Sequence, residues 1–261
     1  MPSFTTVIED TSPLLVYSAN WGAGKSETDT KADQYTQSSF TLTQTNGASM
    51  SFSFYGSSVA VYGARRGNHG SYNAKVDSSA ALPFSGQSNT DQFNQTMFTA
   101  NVNLGLHNLS ITNGDNTFFD VDYVTFESSV GKDDEDLIVN TYQDTHPAFS
   151  YTPSSAWNTP SNVGTFLGGS GQCVAKRLRD AVALYGPVGP NSSSTYSVQV
   201  DKQTPLFFSA NKVFYHPQQV LYFAGNLGAG PHTLQIQPLG QTGEFAIDYA
   251  AIYTTPSLGG R

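Results

Sequence analysis

The sequence predicts an all-β chain of two tandem antiparallel β-sandwiches. Three observations predict it. The composition favours strands and turns, the chain repeats itself once, and apolar residues alternate with polar ones inside each repeat.

The 261 residues are 38% hydrophobic, 13% aromatic and only 12% charged. A core can be buried, and the surface must come largely from Ser, Thr, Asn, Gln and Gly, which suits strands and turns more than helices. The repeat sets the domain plan. Asp10, Thr11, Pro13 and Tyr17 in IEDTSPLLVYSANW return as Asp144, Thr145, Pro147 and Tyr151 in YQDTHPAFSYTPSSAW, at a constant offset of 134. Trp21 and Trp157 follow. VAVYG (59–63) returns as VALYG (182–186), and Tyr72 and Asp77 as Tyr196 and Asp201. His107 pairs with His232, and Asp122-Tyr123 with Asp248-Tyr249. Four blocks keep their order, so the expected domains are 1–130 and 142–261, with residues 131–141 as an acidic linker around Asp133, Asp134, Glu135 and Asp136.

Each element follows from its pattern. Val59 and Val61, Tyr72, Ala74 and Val76, and Leu109 and Ile111 alternate with polar neighbours, as half-buried strands do. The one helix candidate, CVAKRLRDAVALY (173–185), lies in register with the strand-like SMSFSFYGSSVAVY of the first copy and is therefore read as strand. FFSANKVFYHP (207–217) reads as strand core, with the lining of an apolar pocket as its other use.

Several classes are excluded. A net charge of −8 argues against a nucleic-acid partner. No run of 18 apolar residues is present, so no membrane span is expected, and no signal peptide is visible at the start. The single cysteine, Cys173, rules out an internal disulfide. Nucleophile-elbow, zinc-protease, phosphate-loop and dinucleotide motifs are all absent. No cofactor is expected, a structural calcium ion being the exception left open. Asn94, Asn108 and Asn191 begin N-x-S/T sequons, the mark of a secreted glycoprotein.

The series VYG, Y-x-x-x-V-D, L-x-x-x-H-x-L-x-I and D-Y-V resembles galactose-binding-domain-like jelly-roll modules. The longer string IEDTSPLLVY…W…YGARRGNHGSY is similar to paired ectodomain modules of uncharacterised fungal surface or secreted proteins. The resemblance covers nearly the whole chain. It implies two jelly-roll sandwiches and an extracellular or cell-surface location, and it brings no activity with it.

Candidate residues come from comparing the copies. Residues kept in both read as scaffold: Asp122 and Asp248 tying loop N–H groups, and His107 and His232 at strand starts. Residues present once are free to form a site. After VYG the first copy reads ARRGNHGSY and the second PVGPNSSSTY, so Arg65 and Arg66 face Pro187 and Val188, and His69 faces a gap or a small residue. Arg65, Arg66, Asn68 and His69 suit a ligand with carboxylates or vicinal hydroxyls, or else a contact with the other module's acidic surface. Asp120, facing Ala246, and Glu244, facing Phe118, suit acid–base chemistry, calcium, or a solvated rim. Trp21 and Trp157 suit sugar stacking or core packing.

The expected function is non-catalytic glycan binding, with a polysaccharide as partner. A motif-less enzyme is the alternative, either cyclising a small apolar metabolite or acting on glycosides in a cleft between the modules. An adhesive surface that recognises another protein is the third reading.

Overall fold

The structure, a computed structural model, describes residues 1–158, 167–240 and 243–260. The chain divides into two compact units, Phe4–Ser128 and Ser129–Arg261, the second taking Met1–Ser3 with it. Apart from short 3-10 turns, the regular elements of both are strands.

The first unit contains β1 (Ser3–Glu9), β2 (Val16–Tyr17), β3 (Trp21–Ala23), β4 (Thr41–Thr43), β5 (Ser49–Arg65), β6 (Ser71–Val76), β7 (Leu82–Ser85), β8 (Gln92–Asn113), β9 (Phe119–Val121) and β10 (Tyr123–Ser129). Its main sheet runs β1-β10-β5-β8-β6-β7, with β2 also on β5, and β3-β4-β9 form a small sheet. β5 and β8 are long enough to serve both layers of the sandwich. Their register shifts between Gly56 and Ser58, where one layer ends and the next begins. Gly56 is required there, because a Cβ would collide with the Glu127 carbonyl.

The second unit contains β11 (Ile138–Gln143), β12 (Phe149–Thr152), β13 (Leu167–Gly169), β14 (Gln172–Leu178), β15 (Ala181–Val188), β16 (Tyr196–Val200), β17 (Leu206–Phe208), β18 (His216–Ala224), β19 (His232–Pro238), β20 (Phe245–Ile247) and β21 (Tyr249–Thr254). Its layers run β11-β21-β15-β18 and β12-β14-β19-β16-β17, with β13 on β20. This is the first unit's order with β5 divided into β14 and β15, and β8 into β18 and β19. The helix candidate 173–185 is therefore two strands, as its register indicated.

Period-two alternation puts the expected residues inside. Phe4, Thr6 and Ile8 are buried along β1 while their neighbours are not. Tyr72, Ala74 and Val76 point inward in the first unit, and Tyr196, Val198 and Val200 in the second. Hydrogen bonds repeat with the strands. The Tyr72 hydroxyl donates to the Met97 carbonyl at 2.7 Å, and the Tyr196 hydroxyl to the Leu221 carbonyl at 2.7 Å. Stacked tyrosines repeat too: Tyr62 on Tyr123 at 4.4 Å and Tyr185 on Tyr249 at 4.5 Å.

One expectation about the boundary is corrected. Residues 131–141 do not form a free linker. Ile138–Gln143 pair with β21, and Glu135 accepts from the Ser257 N–H and hydroxyl, each at 2.8 Å. The apolar residues after the acidic run have an edge to pair with, and one of the acids has donors to hold.

Candidate functional site

At one end of each sandwich, three loops share a backbone frame. In the first unit the Arg66 N–H donates to Gly86 O (2.9 Å), the Gly86 N–H to Gly70 O (2.8 Å), and the Ser88 N–H to Arg66 O (3.1 Å). In the second, Gly189 N–H donates to Ala210 O (3.0 Å), Ala210 N–H to Ser193 O (3.1 Å), and Lys212 N–H to Gly189 O (3.1 Å). Isolated bridges join His69 to Phe118 and Ser192 to Glu244. The equivalences follow: Arg66 with Gly189, His69 with Ser192, Asp91 with Tyr215, and Asp120 with Ala246. The sequence pairing of Arg65 and Arg66 with Pro187 and Val188 is one residue out. Val188 stands opposite Arg65, because both pair with the first residue of the next long strand, His216 and Gln92 respectively.

The first unit fills this frame with its own side chains. The Arg66 guanidinium is bonded through Nη1 to Asp29 Oδ2 and through Nη2 to Asp29 Oδ1 at 3.3 Å. Its Nε lies 3.5 Å from Asp91, and its carbon 5.4 Å from the Phe93 ring centre. Burial pushes the Asp29 carboxyl up, but Arg66 and the Lys31 N–H outweigh it and hold the group below its ordinary value. His69 is buried, with Nε2 2.7 Å from Asp120 Oδ2 and Nδ1 2.8 Å from Asn68 Oδ1. Asp120 also accepts from the Tyr35 hydroxyl (2.6 Å) and the Ala64 N–H (2.8 Å). Burial and the Asp120 carboxylate hold the Tyr35 phenol far above its ordinary range, so it stays a donor.

Asp29 and Tyr35 belong to a segment, 25–41, that crosses the frame. Two more carboxylates grip it. Asp10 accepts from the Ser39 hydroxyl (2.7 Å) and the Thr41 hydroxyl (2.8 Å), and Asp122 from the Thr36 N–H (3.0 Å). Burial pushes the Asp122 carboxyl up to about 8; Glu9, Asp10 and Asp120 push the same way, against the Thr36 N–H. Burial, with Asp10 beside it, raises Glu9 to about 7.

The structure thus brings together Arg66, Asn68, His69 and Asp120 from the sequence candidates, and spends three of them inward. The acids that Arg66 meets, Asp29 and Asp91, come from its own module. Arg65, at the end of β5, is half-buried and reaches the Thr96 carbonyl at 3.5 Å. Trp157 is buried in the second core, 4.8 Å from Tyr151, and offers no free ring face to a sugar. Trp21 is half-buried between Tyr17 (4.9 Å) and Phe119 (6.0 Å). His107 and His232 are scaffold in both copies, bonded to Asp77 at 2.7 Å and to Asp201 at 2.8 Å. Asp122 ties a loop N–H as expected. Asp248 differs, accepting from the Gln218 side chain at 2.7 Å.

The second unit carries small residues where the first carries its network: Gly189, Ser192 and Ala246. Tyr215 lies on Gly189, whose Cβ position is 3.2 Å from the Tyr215 Cα. Tyr215 is 60% exposed, Phe207 63% and Phe214 37%, with Leu206 at 52% and Val213 at 58%. The reading of 207–217 as strand core is corrected. Only Phe208, Ala210 and His216 turn inward among its larger contacts, because β17 is an edge strand and Phe207 falls on its outer face. Polar groups flank the rings. Burial and the Asp248 carboxylate raise the Tyr215 phenol. Glu244 is exposed and accepts from the Asn158 side chain at 3.2 Å, and the Asn211 side chain donates to the Pro190 carbonyl at 2.8 Å. Sequence reasoning missed Tyr215, Phe214, Gln218 and Asp248 as surface groups. The available signal was the aromatic run itself, opposite the polar GQSNTD of the first copy.

Among the described residues, no group of three or more His, Cys, Asp or Glu side chains is arranged to hold a metal ion. Among them, too, no helix is long and apolar enough to cross a membrane.

No family model matches the chain, and no curated protein matches it by sequence. Solved structures are similar at a distance. A family two carbohydrate esterase from Cellvibrio japonicus shares 15% identity at a TM-score of 0.37, over 49% of this chain and 35% of that one. The tandem CBM22-1–CBM22-2 domain of Paenibacillus barcinonensis Xyn10C shares 9% identity at a TM-score of 0.30, over 96% of this chain and 97% of that one. A Paenibacillus xanthan lyase shares 10% identity at a TM-score of 0.34, over 95% of this chain and 26% of that one. The chain spans about a third of the esterase and about a quarter of the lyase.

Proposed function

We propose that this chain is a non-catalytic, extracellular carbohydrate-binding protein whose glycan lies on the second module, across the segment 206–215. The observation that carries the reading is the exposure of three rings, Phe207, Phe214 and Tyr215, within nine residues. Burying one such ring is worth roughly 1.5–3 kcal/mol, and grouped rings left in water mark a contact surface. A sugar ring presents C–H groups to an aromatic face and hydroxyls at its rim. The rim would meet Gln218 with Asp248, and Asn158 with Glu244, which supply both donors and acceptors.

The test is retention on insoluble β-glucan, chitin and galactan, together with a glycan array, with and without calcium. Retention on at least one polymer, lost in a Phe207→Ala/Tyr215→Ala double variant, is the expected result. No retention on any of them overturns the reading.

A second reading, adhesion to another protein, is favoured by Leu206 and Val213, since aliphatic side chains offer a sugar no stacking face. A Leu206→Ser/Val213→Ser variant separates the two. Glycan retention survives it under the first reading, and adhesion is lost under the second.

A further inference from the structure

Resting on the glycan reading, we propose that the chain has one glycan site rather than two: the first module's loop cluster is filled by its own side chains, which leaves the exposed rings Phe207, Phe214 and Tyr215 of the second module as the site. Duplicated modules would ordinarily add avidity when both engage one polymer. Here the two copies share the backbone frame and differ in what stands on it.

In the first, segment 25–41 lies where an incoming ring would have to go. Tyr35 is stacked on Phe40 at 4.0 Å and meets the edge of Phe93 at 5.2 Å, while its hydroxyl reaches Asp120. An aromatic contact, a hydroxyl-to-carboxylate bond and a nearby guanidinium are the contacts a polyhydroxylated ring would seek, and a residue of the chain already makes them. The segment is tethered at four places: Asp29 to Arg66, Tyr35 to Asp120, Thr36 to Asp122, and Ser39 with Thr41 to Asp10. Each tether has a carboxylate at one end and is among the stronger kinds of hydrogen bond.

The flanking loop also differs. Residues 86–91 of the first copy (GQSNTD) occupy the frame that 210–215 (ANKVFY) occupy in the second, and contain no ring. Asp91, the counterpart of Tyr215, turns towards Arg66. The first module therefore lacks both the room and the stacking faces.

The experiment is calorimetric titration of the full chain with laminarihexaose, cellohexaose, chitohexaose and a galactotetraose. One site per chain is expected for the sugar that binds. Tyr215→Ala should weaken it at least tenfold, and Gly189→Arg/Tyr215→Asp, which installs the first module's pair in the second, should abolish it in a chain whose melting confirms folding. The exposed first-module variant Asn68→Ala should leave affinity unchanged. Two sites per chain, or a single site that survives Tyr215→Ala and is lost with Asn68→Ala, overturns the proposal while leaving glycan binding intact. No heat with any probe, combined with no retention on the polymers, defeats the glycan reading and this inference with it.

Discussion

Tyr215 lies over Gly189 at the point of the frame where the first module sets Asp91 against Arg66. Two chemically unrelated pairs thus occupy one backbone position. A side chain at Gly189 would crowd Tyr215, since its Cβ would sit 3.2 Å from the Tyr215 Cα. Gly189→Ala is expected to destabilise the second module by roughly 1–2 kcal/mol through overpacking, and to reduce glycan retention by tilting the ring. Urea unfolding and polymer pull-down check the two effects separately.

Arg66→Ala should cost the first module roughly 2 kcal/mol, because Asp29 loses a forked partner in a half-buried site. Arg66→Lys should recover little of it, since an ammonium cannot span both Asp29 oxygens. Equal stability of the alanine and wild-type chains in denaturant would show that the segment 25–41 is held by something else.

The first module should lose stability as pH rises from about 5 to about 8. Asp122 and Glu9 stand at about 8 and about 7 in the fold, against ordinary values of 3.8 and 4.5. Between those limits the folded state holds more protons than the unfolded chain, so raising the pH favours unfolding. Asp29, and Asp115, which accepts from the Ser71 and Thr117 hydroxyls, are lowered and act the other way, but only as pH falls through their unfolded values near 4. The melting temperature should therefore peak near pH 5 and decline towards 8, and Asp122→Asn, which keeps an acceptor for the Thr36 N–H, should flatten the decline. A melting temperature that climbs over this range would contradict the assignment.

Tyr72→Phe and Tyr196→Phe remove equivalent buried hydroxyl bonds and should each cost roughly 1 kcal/mol. The double variant should lose the sum, since the two bonds lie in separate cores. Unequal costs would mean that the two frameworks are not doing the same work at that position.

The fold was largely legible because its signals are local. Val59, Val61, Leu109 and Ile111 alternate with polar neighbours, and a half-buried strand allows no other period. His107 with Asp77 and His232 with Asp201 announced themselves as scaffold by recurring. The candidate site was half legible. Arg66, His69 and Asp120 were found because the second copy lacks them, but their direction was not. An arginine flanked by glycines reads the same whether it faces a ligand or a carboxylate thirty-seven residues back in the chain.

By itself the sequence determined that one sandwich plan is used twice, since repeated motifs and strand periodicity are properties of consecutive residues. Only the tertiary structure decided that the first copy is filled by its own side chains and that Phe207, Phe214 and Tyr215 of the second stay in water. That depends on Asp29 and Tyr35 from one loop and Asp91 from another arriving at Arg66 and Asp120. It depends equally on a frame of N–H and C=O groups that holds Arg66 and Gly189 alike. Backbone hydrogen bonds do not depend on the side chain they carry, so counting on from Gly63 and Gly186 pairs Arg66 with Gly189 but does not say what either of them meets.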